Sequence, residues 1–287
     1  VAVLAPYKGR IYDPCCGSGG MFVQSEEFIK SHGGKIDDVS IYGQESNPTT
    51  WRLAAMNLAI RGYSVDLGKM HGDTFANDQF TDLKFDYIMA NPPFNISDWG
   101  GEKYENDVRW KHGRPPTGNA NFAWLQHILW KLKPKGLAGI VLANGSLSSM
   151  VSNEGIIRKE LVINQKIEAI ISLPPKLFLN TGIPVSLWIL SHNNQKKKNE
   201  ILFINANELG KLITRKQRVL FQDDIKKISS TFLSWRIDKN YKDLVGFCRS
   251  VTIDEVKKSG YYLTPSRYAG HDDEIDDGIT LEEKLQK

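Results

Sequence analysis

Asn91-Pro92-Pro93-Phe94 carries the clearest chemical signal in the sequence, directly behind the apolar run at 85–90. Two prolines stiffen a turn and so fix the direction of the carbonyls around them. We expect the Asn91 side-chain oxygen and the Pro92 carbonyl to accept hydrogen bonds from one amino group, which makes that amine a better nucleophile. Phe94 can offer a flat face to a planar substrate. Considered in isolation, the four residues would also suit an ordinary turn after a strand.

A glycine-rich run, DPCCGSGG at 13–20, follows the first apolar segment. Glycines at such a place let the backbone turn sharply and approach a ligand, although a tight strand–helix turn would use them too. The spacing is not GxGxxG, which disfavours a dinucleotide site and hence a dehydrogenase. The acid ahead of the glycines favours a ligand with a positive group. The candidate cofactor-binding residues of the run are Asp13, Pro14, Cys16, Gly17 and Gly19.

Two further acids follow the next two predicted strands. Glu45 ends YGQE, where an acid in a doubly wound fold accepts hydrogen bonds from ribose hydroxyls. Asp73 can accept from an exocyclic amine, and Phe75 can pack on a purine. The carboxyl ends of parallel strands open into one crevice, so the three acids should meet. Ammonium, ribose and adenine occur together in S-adenosylmethionine, which we predict as the cofactor.

The predicted chemistry is methyl transfer to an amine, and it requires no strong base because a sulfonium is a good electrophile. An adenine amine inside a duplex would have to be flipped out to reach the site, at a cost of about a few kcal/mol. Stacking on Phe94 would return roughly 1–3 kcal/mol of that cost.

Strand and helix alternate along the chain, which predicts an α/β fold with a doubly wound, mostly parallel, Rossmann-like sheet. Several strands are apolar throughout, as in sheets covered on both faces. The predicted strands are 10–12, 39–43, 65–69, 85–90, 137–143, 167–173 and 185–191. The predicted helices are 20–31, 50–61 (amphipathic, with Leu53, Met56, Leu58 and Ile60 among its apolar positions), 122–132 and, outside the sheet, 223–237 and 252–258.

We divide the 287 residues into a catalytic domain at 1–210 and a small helical C-terminal appendage at 211–287 that ends in an acidic tail at 272–277. The 98–118 segment has no periodicity, and either contact with DNA or disorder would explain it. The net charge of +4 is compatible with a polyanionic partner without requiring one, and the basic clusters at 196–198 and 211–218 suit a solvated surface as well.

Neither a membrane nor a metal is expected from the composition. No apolar run approaches the ~18–20 residues that a bilayer needs, and the first residues lack the features of a signal peptide. Three cysteines make no disulfide framework, and no Cys/His spacing resembles a zinc site. We therefore expect a cytoplasmic protein with reduced thiols.

The order DPCCGSGG, YGQE, GDTF and NPPF resembles the amino-methyltransferases of DNA, and NPPF with Phe is typical of their adenine-N6 group. The segments GRPP at 113–116, GNANFAW at 118–124, FLNTGIP at 178–184 and GYYLTPSRY at 260–268 resemble the modification subunits of Type I restriction-modification systems. The resemblance covers roughly residues 8–270, and its motifs are specific in combination.

That resemblance implies a site-specific adenine-N6 DNA methyltransferase that uses S-adenosylmethionine. It assigns cofactor contacts to the three acids and to Gly17 and Gly19, and places Asn121 and Phe122 at the cofactor edge. It implies a seven-stranded sheet with the strand at 185–191 antiparallel. The implied partners are DNA, a specificity subunit that reads the target sequence and, with it, a second modification subunit and a restriction subunit.

The family also carries an aromatic-Thr-Pro motif and a helical region upstream of the glycine loop, which this sequence does not include. We therefore expect a fragment that binds cofactor poorly. Two alternatives stay open: a related Asn-Pro-Pro methyltransferase that acts on protein glutamine or ribosomal RNA, and a non-catalytic module that docks a specificity subunit.

Overall fold

A nine-stranded sheet with helices on both faces forms the frame of the protein. The structure, a computed structural model, describes residues 1–178, 181–192, 197 and 199–270. The strands are β1 Gly9–Asp13, β2 Val39–Gly43, β3 Val65–Asp66, β4 Phe85–Ala90, β5 Leu132–Ala143, β6 Ile167–Leu173, β7 Val185–Ser191, β8 Glu200–Asn205, β9 Lys211–Leu212, β10 Arg218–Val219 and β11 Cys248–Thr252. The helices are α1 Gly20–Ser31, α2 Pro48–Ile60, α3 Asn121–Lys131, α4 Glu154–Ile163, α5 Gln222–Arg236, α6 Ile253–Lys258 and α7 Pro265–Ala269.

The strand order is β11-β8-β6-β7-β5-β4-β1-β2-β3, with β9 and β10 forming a separate hairpin. Strand β7 runs antiparallel to β5 and β6, as the resemblance implied, and β11 runs antiparallel to β8, while the other neighbours are parallel. The α/β class and the mostly parallel sheet are thus confirmed. The count of seven strands is too low, because β8 and β11 continue the sheet beyond β6.

Apolar residues fill both faces of this sheet. Phe122 of α3 and Leu161 of α4 belong to the core on one face. Phe22 of α1, Leu58 of α2 and Trp235 of α5 belong to the core on the other. Strands β6, β7 and the 137–143 part of β5 lie between the two cores, which explains why their sequences are mostly apolar.

Helix α2 begins at the cap that its sequence provides, and it buries fewer of its apolar side chains than its amphipathic pattern predicted. The Asn47 side-chain oxygen accepts hydrogen bonds from the backbone N–H of Thr49 and Thr50, at 2.9 and 3.1 Å, which caps the helix at Pro48. Of the apolar positions predicted to face the core, only Leu58 is buried. The exposed positions are Leu53 (52%), Met56 (60%) and Ile60 (80%). The helix lies at the β3 edge, where a two-residue strand offers little surface to cover.

The two helices predicted after residue 210 are present as α5 and α6, and the strand β11, which the sequence did not indicate, joins this part of the chain to the same sheet. Strand β11 pairs along its whole length with β8, and the Trp235 indole of α5 donates to the Ser250 hydroxyl of β11 at 2.7 Å. Tyr268 of α7 stacks on Phe203 of β8 with ring centroids 4.2 Å apart. The functional boundary at 210 stays a prediction. The acidic tail at 272–277 and two residues of the basic run, Lys196 and Lys198, lie outside the described residues.

Within the described ranges, no helix combines the length and hydrophobicity needed to cross a bilayer.

Candidate cofactor and amine site

The glycine loop leaves the end of β1 and turns into α1 through two left-handed glycines. Gly17 has φ 55° and Gly19 has φ 79°, conformations that other residues adopt at a cost. A Cβ at Gly19 would lie 3.1 Å from the Leu58 side chain, whereas one at Gly17 would meet nothing within 4 Å. The loop is therefore packed against α2 at Gly19 and open at Gly17, as a ligand loop requires.

Asp13 ends β1 and is only 2% exposed. One of its carboxylate oxygens accepts a hydrogen bond from the Cys15 N–H at 2.9 Å. Burial raises the pKa of Asp13 to about 7, against the lowering effect of hydrogen bonds from Cys15, and the charge of Glu45 raises it further. Among the described residues, no lysine, arginine or histidine forms an ion pair with Asp13. A buried carboxylate without a cation fits a ligand that brings an ammonium.

Glu45 follows β2 and connects the glycine loop to the start of α2. Its carboxylate accepts from the N–H of Gly17 at 3.1 Å and from the N–H of Asn47 at 2.8 Å. These two hydrogen bonds hold the Glu45 carboxylate beside Gly17, the open part of the glycine loop. A carboxylate at this place suits hydrogen bonds from ribose hydroxyls.

The third acid, Asp73, is tied to the other two by its neighbours. Its carboxylate accepts from the Phe75 N–H at 2.8 Å, which closes a local turn. The adjacent Thr74 hydroxyl donates to the Pro14 carbonyl at 2.5 Å, and the Gly72 N–H donates to the Glu45 carbonyl at 2.9 Å. The structure thus brings the three predicted acidic segments together at the carboxyl ends of β1, β2 and β3.

Gln44 is a residue of this site that the sequence analysis missed. It is fully buried, and its amide nitrogen donates to the carbonyls of Gly72 at 3.1 Å and Asn77 at 2.6 Å. Its amide oxygen accepts from the Gln79 N–H at 3.3 Å. The available signal was a polar amide at a position where a buried strand ends. Gln44 fixes the Asp73 segment against β2.

Three of the predicted cofactor residues have buried side chains. Phe75 is 6% exposed, with its ring centroid 4.4 Å from that of Trp124 and 5.1 Å from that of Trp99. Pro14 and Cys16 are also buried, and Cys16 packs among apolar side chains of the core. Neighbouring aromatic side chains thus surround Phe75, and its predicted contact with a purine stays a prediction.

The amine-site residues follow β4, next to the glycine loop in the sheet. Asn91 is exposed, Pro92 is buried and Pro93 is exposed. Asn95, the residue after Phe94, has a left-handed φ of 54°. The Asn121 amide donates to the Asn95 side-chain oxygen at 2.8 Å and accepts from the Asn95 N–H at 3.2 Å. Asn121 therefore supports the Asn-Pro-Pro-Phe turn, and its predicted cofactor contact stays a prediction.

A second aromatic residue lies beside Phe94. Phe178 meets its ring edge to face, with centroids 6.0 Å apart and planes at 70°. The chain that continues from Phe178 is attached to the end of β5, because the Asn144 N–H donates to the Pro184 carbonyl at 3.1 Å. Leu179 and Asn180 of the same motif lie outside the described residues. The sequence analysis quoted Phe178 only as part of a motif, and only the fold places it at the amine site.

The raised pKa of Asp13 predicts opposite pH dependences for cofactor affinity and stability. An ammonium ligand needs the ionised carboxylate, so we expect affinity to rise between pH 6 and 7.5 by roughly tenfold and then level off. In the free chain, the folded state binds this proton more tightly than the unfolded state does. The free energy of unfolding should therefore fall as pH rises from 3.8 towards 7.

Calorimetric titrations with S-adenosylmethionine and urea unfolding across this range would check both slopes. The variant Asp13→Asn should flatten both. Slopes that persist unchanged in the variant would assign them to other groups.

The order of the strands and the residues of the candidate site together define a class of protein. Strands in the order β3-β2-β1-β4-β5-β7-β6, acids at the ends of the first three strands and an Asn-Pro-Pro-Phe turn after the fourth are the arrangement of an S-adenosylmethionine-dependent methyltransferase fold. The chain belongs to the N-6 DNA Methylase family, whose model matches residues 1–277.

Two proteins similar to this chain are methylase subunits of Type I restriction enzymes. The chain is 50% identical over 286 residues to the Type I restriction enzyme HindI methylase subunit of Haemophilus influenzae, covering 100% of this chain and 64% of that protein. It is 43% identical to the MjaIX methylase subunit of Methanocaldococcus jannaschii, covering 100% of this chain and 52% of that protein. The chain thus spans between about half and two thirds of these relatives.

A solved structure agrees with the sequence comparisons. The methyltransferase subunit of a type I restriction-modification system from Streptococcus thermophilus superposes with a TM-score of 0.81 at 28% identity. The match covers 93% of this chain and 56% of that subunit.

Proposed function

We propose that this chain is the catalytic part of a Type I modification subunit, which transfers a methyl group from S-adenosylmethionine to adenine N6 in DNA. The observation that carries the proposal is the buried, unpaired Asp13 carboxylate beside an open glycine loop, one strand away from the Asn-Pro-Pro-Phe turn. The similarity to methylase subunits of Type I restriction enzymes supports the choice of substrate.

The cofactor would be held by the three acids. Asp13 would pair with the ammonium of the methionine moiety, Glu45 would accept from the ribose hydroxyls, and Asp73 would accept from the adenine amine. When bound, S-adenosylmethionine supplies a methyl group on a sulfonium. The neighbouring strand ends β1 and β4 bring this cofactor site and the amine site to one edge of the sheet.

The target adenine would be held by the turn after β4. The Asn91 side-chain oxygen and the Pro92 carbonyl would each accept a hydrogen bond from one N–H of the N6 amino group, which would direct the nitrogen lone pair at the methyl carbon. Held in this way, N6 would take the methyl group, the electrons of the sulfur–methyl bond would stay on sulfur, and one N6 proton would leave to water. Phe94 would stack on the flipped base and Phe178 would contact its edge.

We further propose that a separate specificity subunit selects the sequence, with a second modification subunit and a restriction subunit in the full assembly, in the cytoplasm. The similarity to Type I subunits supports these partners. We assign the chain chemistry rather than sequence choice.

The proposal is tested by assembling the chain with a specificity subunit and supplying tritiated S-adenosylmethionine and duplex DNA. We expect label in DNA, and N6-methyladenine after digestion to nucleosides. Label in cytosine, protein glutamine or RNA would instead assign the site to another amine or amide. Cofactor binding without transfer to any acceptor would favour a docking module.

A further inference from the structure

The 98–118 segment packs on the protein and contributes a buried arginine. Trp99 is 6% exposed and its indole donates to the Pro116 carbonyl at 3.1 Å. Arg109 is 8% exposed, although a charged residue is rarely buried without a specific partner. The segment therefore has a role inside the fold, which neither of the two sequence-based explanations anticipated.

All five N–H groups of the Arg109 guanidinium donate hydrogen bonds, and two of these bonds reach the residues that follow Asp73. Its terminal nitrogens donate to the carbonyls of Thr74 at 3.3 Å and Phe75 at 2.8 Å. The remaining bonds go to the Asp107 carboxylate, at 2.7 and 2.8 Å, and to Nδ1 of His127 at 3.2 Å. A planar fork with five N–H groups is the donor that can satisfy this set at once.

The surroundings of Arg109 hold it in place. Its central carbon lies 5.2–5.8 Å from three aromatic ring centroids, those of Phe75, Tyr104 and Trp110. Burial would raise the pKa of Asp107, but the hydrogen bonds and charge of Arg109 bring it below its ordinary value, so the pair stays ionised. Burial and the Arg109 charge lower the pKa of His127, which keeps the ring neutral and able to accept.

Thr74 is held from both sides as a result. Its carbonyl accepts from Arg109, and its hydroxyl donates to the Pro14 carbonyl in the glycine loop. The residue before it is Asp73, whose carboxylate closes the turn onto the Phe75 N–H. The position of that carboxylate therefore depends on two anchors, one in the glycine loop and one in the 98–118 segment.

We infer that Arg109 is a positioning residue for recognition of the cofactor's adenine, acting through the carbonyls of Thr74 and Phe75 on the Asp73 carboxylate. This inference rests on the proposed function, because it assigns the ligand of Asp73 as the exocyclic amine of adenine. Arg109 then supports the cofactor site from the 98–118 segment, and the affinity of the site for adenine-containing ligands depends on the Arg109 hydrogen bonds.

The test compares two ligands that differ at the adenine amine and at the adjacent ring nitrogen N1, which carries a hydrogen only in the inosyl ligand. We would titrate S-adenosylhomocysteine and S-inosylhomocysteine, in which a carbonyl oxygen replaces the amine, into the wild-type chain, Arg109→Lys and Arg114→Lys. Lysine keeps the charge but lacks the fork. Arg114 is the matched control, because it lies in the same segment and pairs with Glu105 near the surface.

In Arg109→Lys we expect affinity for the adenosyl ligand to fall about tenfold, the equivalent of about 1.4 kcal/mol, and affinity for the inosyl ligand to change by less than about twofold. The control should leave both affinities as in the wild type. Equal losses for both ligands, or no loss for either, would overturn the inference, because general loosening of the fold does not distinguish an amine from a carbonyl.

A wild-type chain that binds neither ligand, even when it is extended upstream and downstream to the length of its relatives, would overturn the cofactor assignment itself, which is a different failure from equal losses in the variant. If Arg109→Lys does not fold, Asp107→Asn tests the same point. It keeps the guanidinium but removes the charge that orients it, so a selective loss for the adenosyl ligand is again expected.

Discussion

Replacing Asn91 with alanine is expected to lower the rate of methyl transfer to adenine by roughly 10²–10³-fold, the loss typical of removing one oriented hydrogen-bonding group from a transition state. The side chain is exposed at the end of β4, and none of the cofactor acids contacts it through a described hydrogen bond. Cofactor affinity should therefore be unchanged. Single-turnover transfer to duplex DNA in the assembled complex, with calorimetry beside it, would measure both quantities.

Two further variants sharpen this result. Asn91→Asp keeps an acceptor oxygen, so it should retain more activity than alanine does. Asn164→Ala is the matched control, since Asn164 ends α4 shortly before the amino end of β6, and its side-chain hydrogen bonds among the described residues all go to Glu160. Full methylation by Asn91→Ala would rule out the proposed amine site.

The double variant Asp13→Asn, Glu45→Gln should lose cofactor affinity by about a hundredfold or more, because each charged hydrogen bond contributes roughly 1.5–3 kcal/mol. These substitutions suit the site better than alanine would. Both carboxylates also accept backbone N–H groups of the loop, from Cys15 and Gly17, and the amide oxygens can continue to do so. The loss should therefore reflect charge rather than collapse of the loop.

Asp66→Asn provides the control for this experiment. Asp66 ends β3, is exposed, and accepts from the Gly68 N–H at 2.9 Å within its own turn, so it has the same local role without facing the glycine loop. Calorimetric titration of S-adenosylmethionine should show wild-type affinity in this variant. Undiminished binding in the double variant would mean that the cofactor site lies elsewhere. At pH 7.5 the double variant should be at least as stable as the wild type, because a buried charge has been removed.

The sequence by itself determined seven of the nine strands of the sheet, their apolar character and the polar residues that follow their carboxyl ends. The predicted strands at 39–43, 85–90, 167–173 and 185–191 have the bounds of β2, β4, β6 and β7. These features follow from local pattern, because a strand buried on both faces must be apolar along its length and a ligand crevice must open at its carboxyl end. Asp13, Glu45 and Asp73 could be placed together for the same reason.

Only the tertiary structure decided which side chains support that site. Gln44 bonds to Asn77, Thr74 to Pro14 and Asn121 to Asn95, contacts that span 33, 60 and 26 residues of the chain. The tertiary structure also buried Phe75, left the outer face of α2 exposed and added β11 to the sheet.

The physical reason is the range of the interactions concerned. Hydrophobic periodicity and strand-end chemistry are properties of neighbouring residues, so they can be recognised in a single sequence. A buried polar side chain such as that of Arg109 satisfies its hydrogen bonds with whatever backbone the fold brings near, here the carbonyls of Thr74 and Phe75. That partner set exists only once distant segments have packed, which is why the sequence left the 98–118 segment undetermined and only the structure shows what Arg109 of that segment contacts.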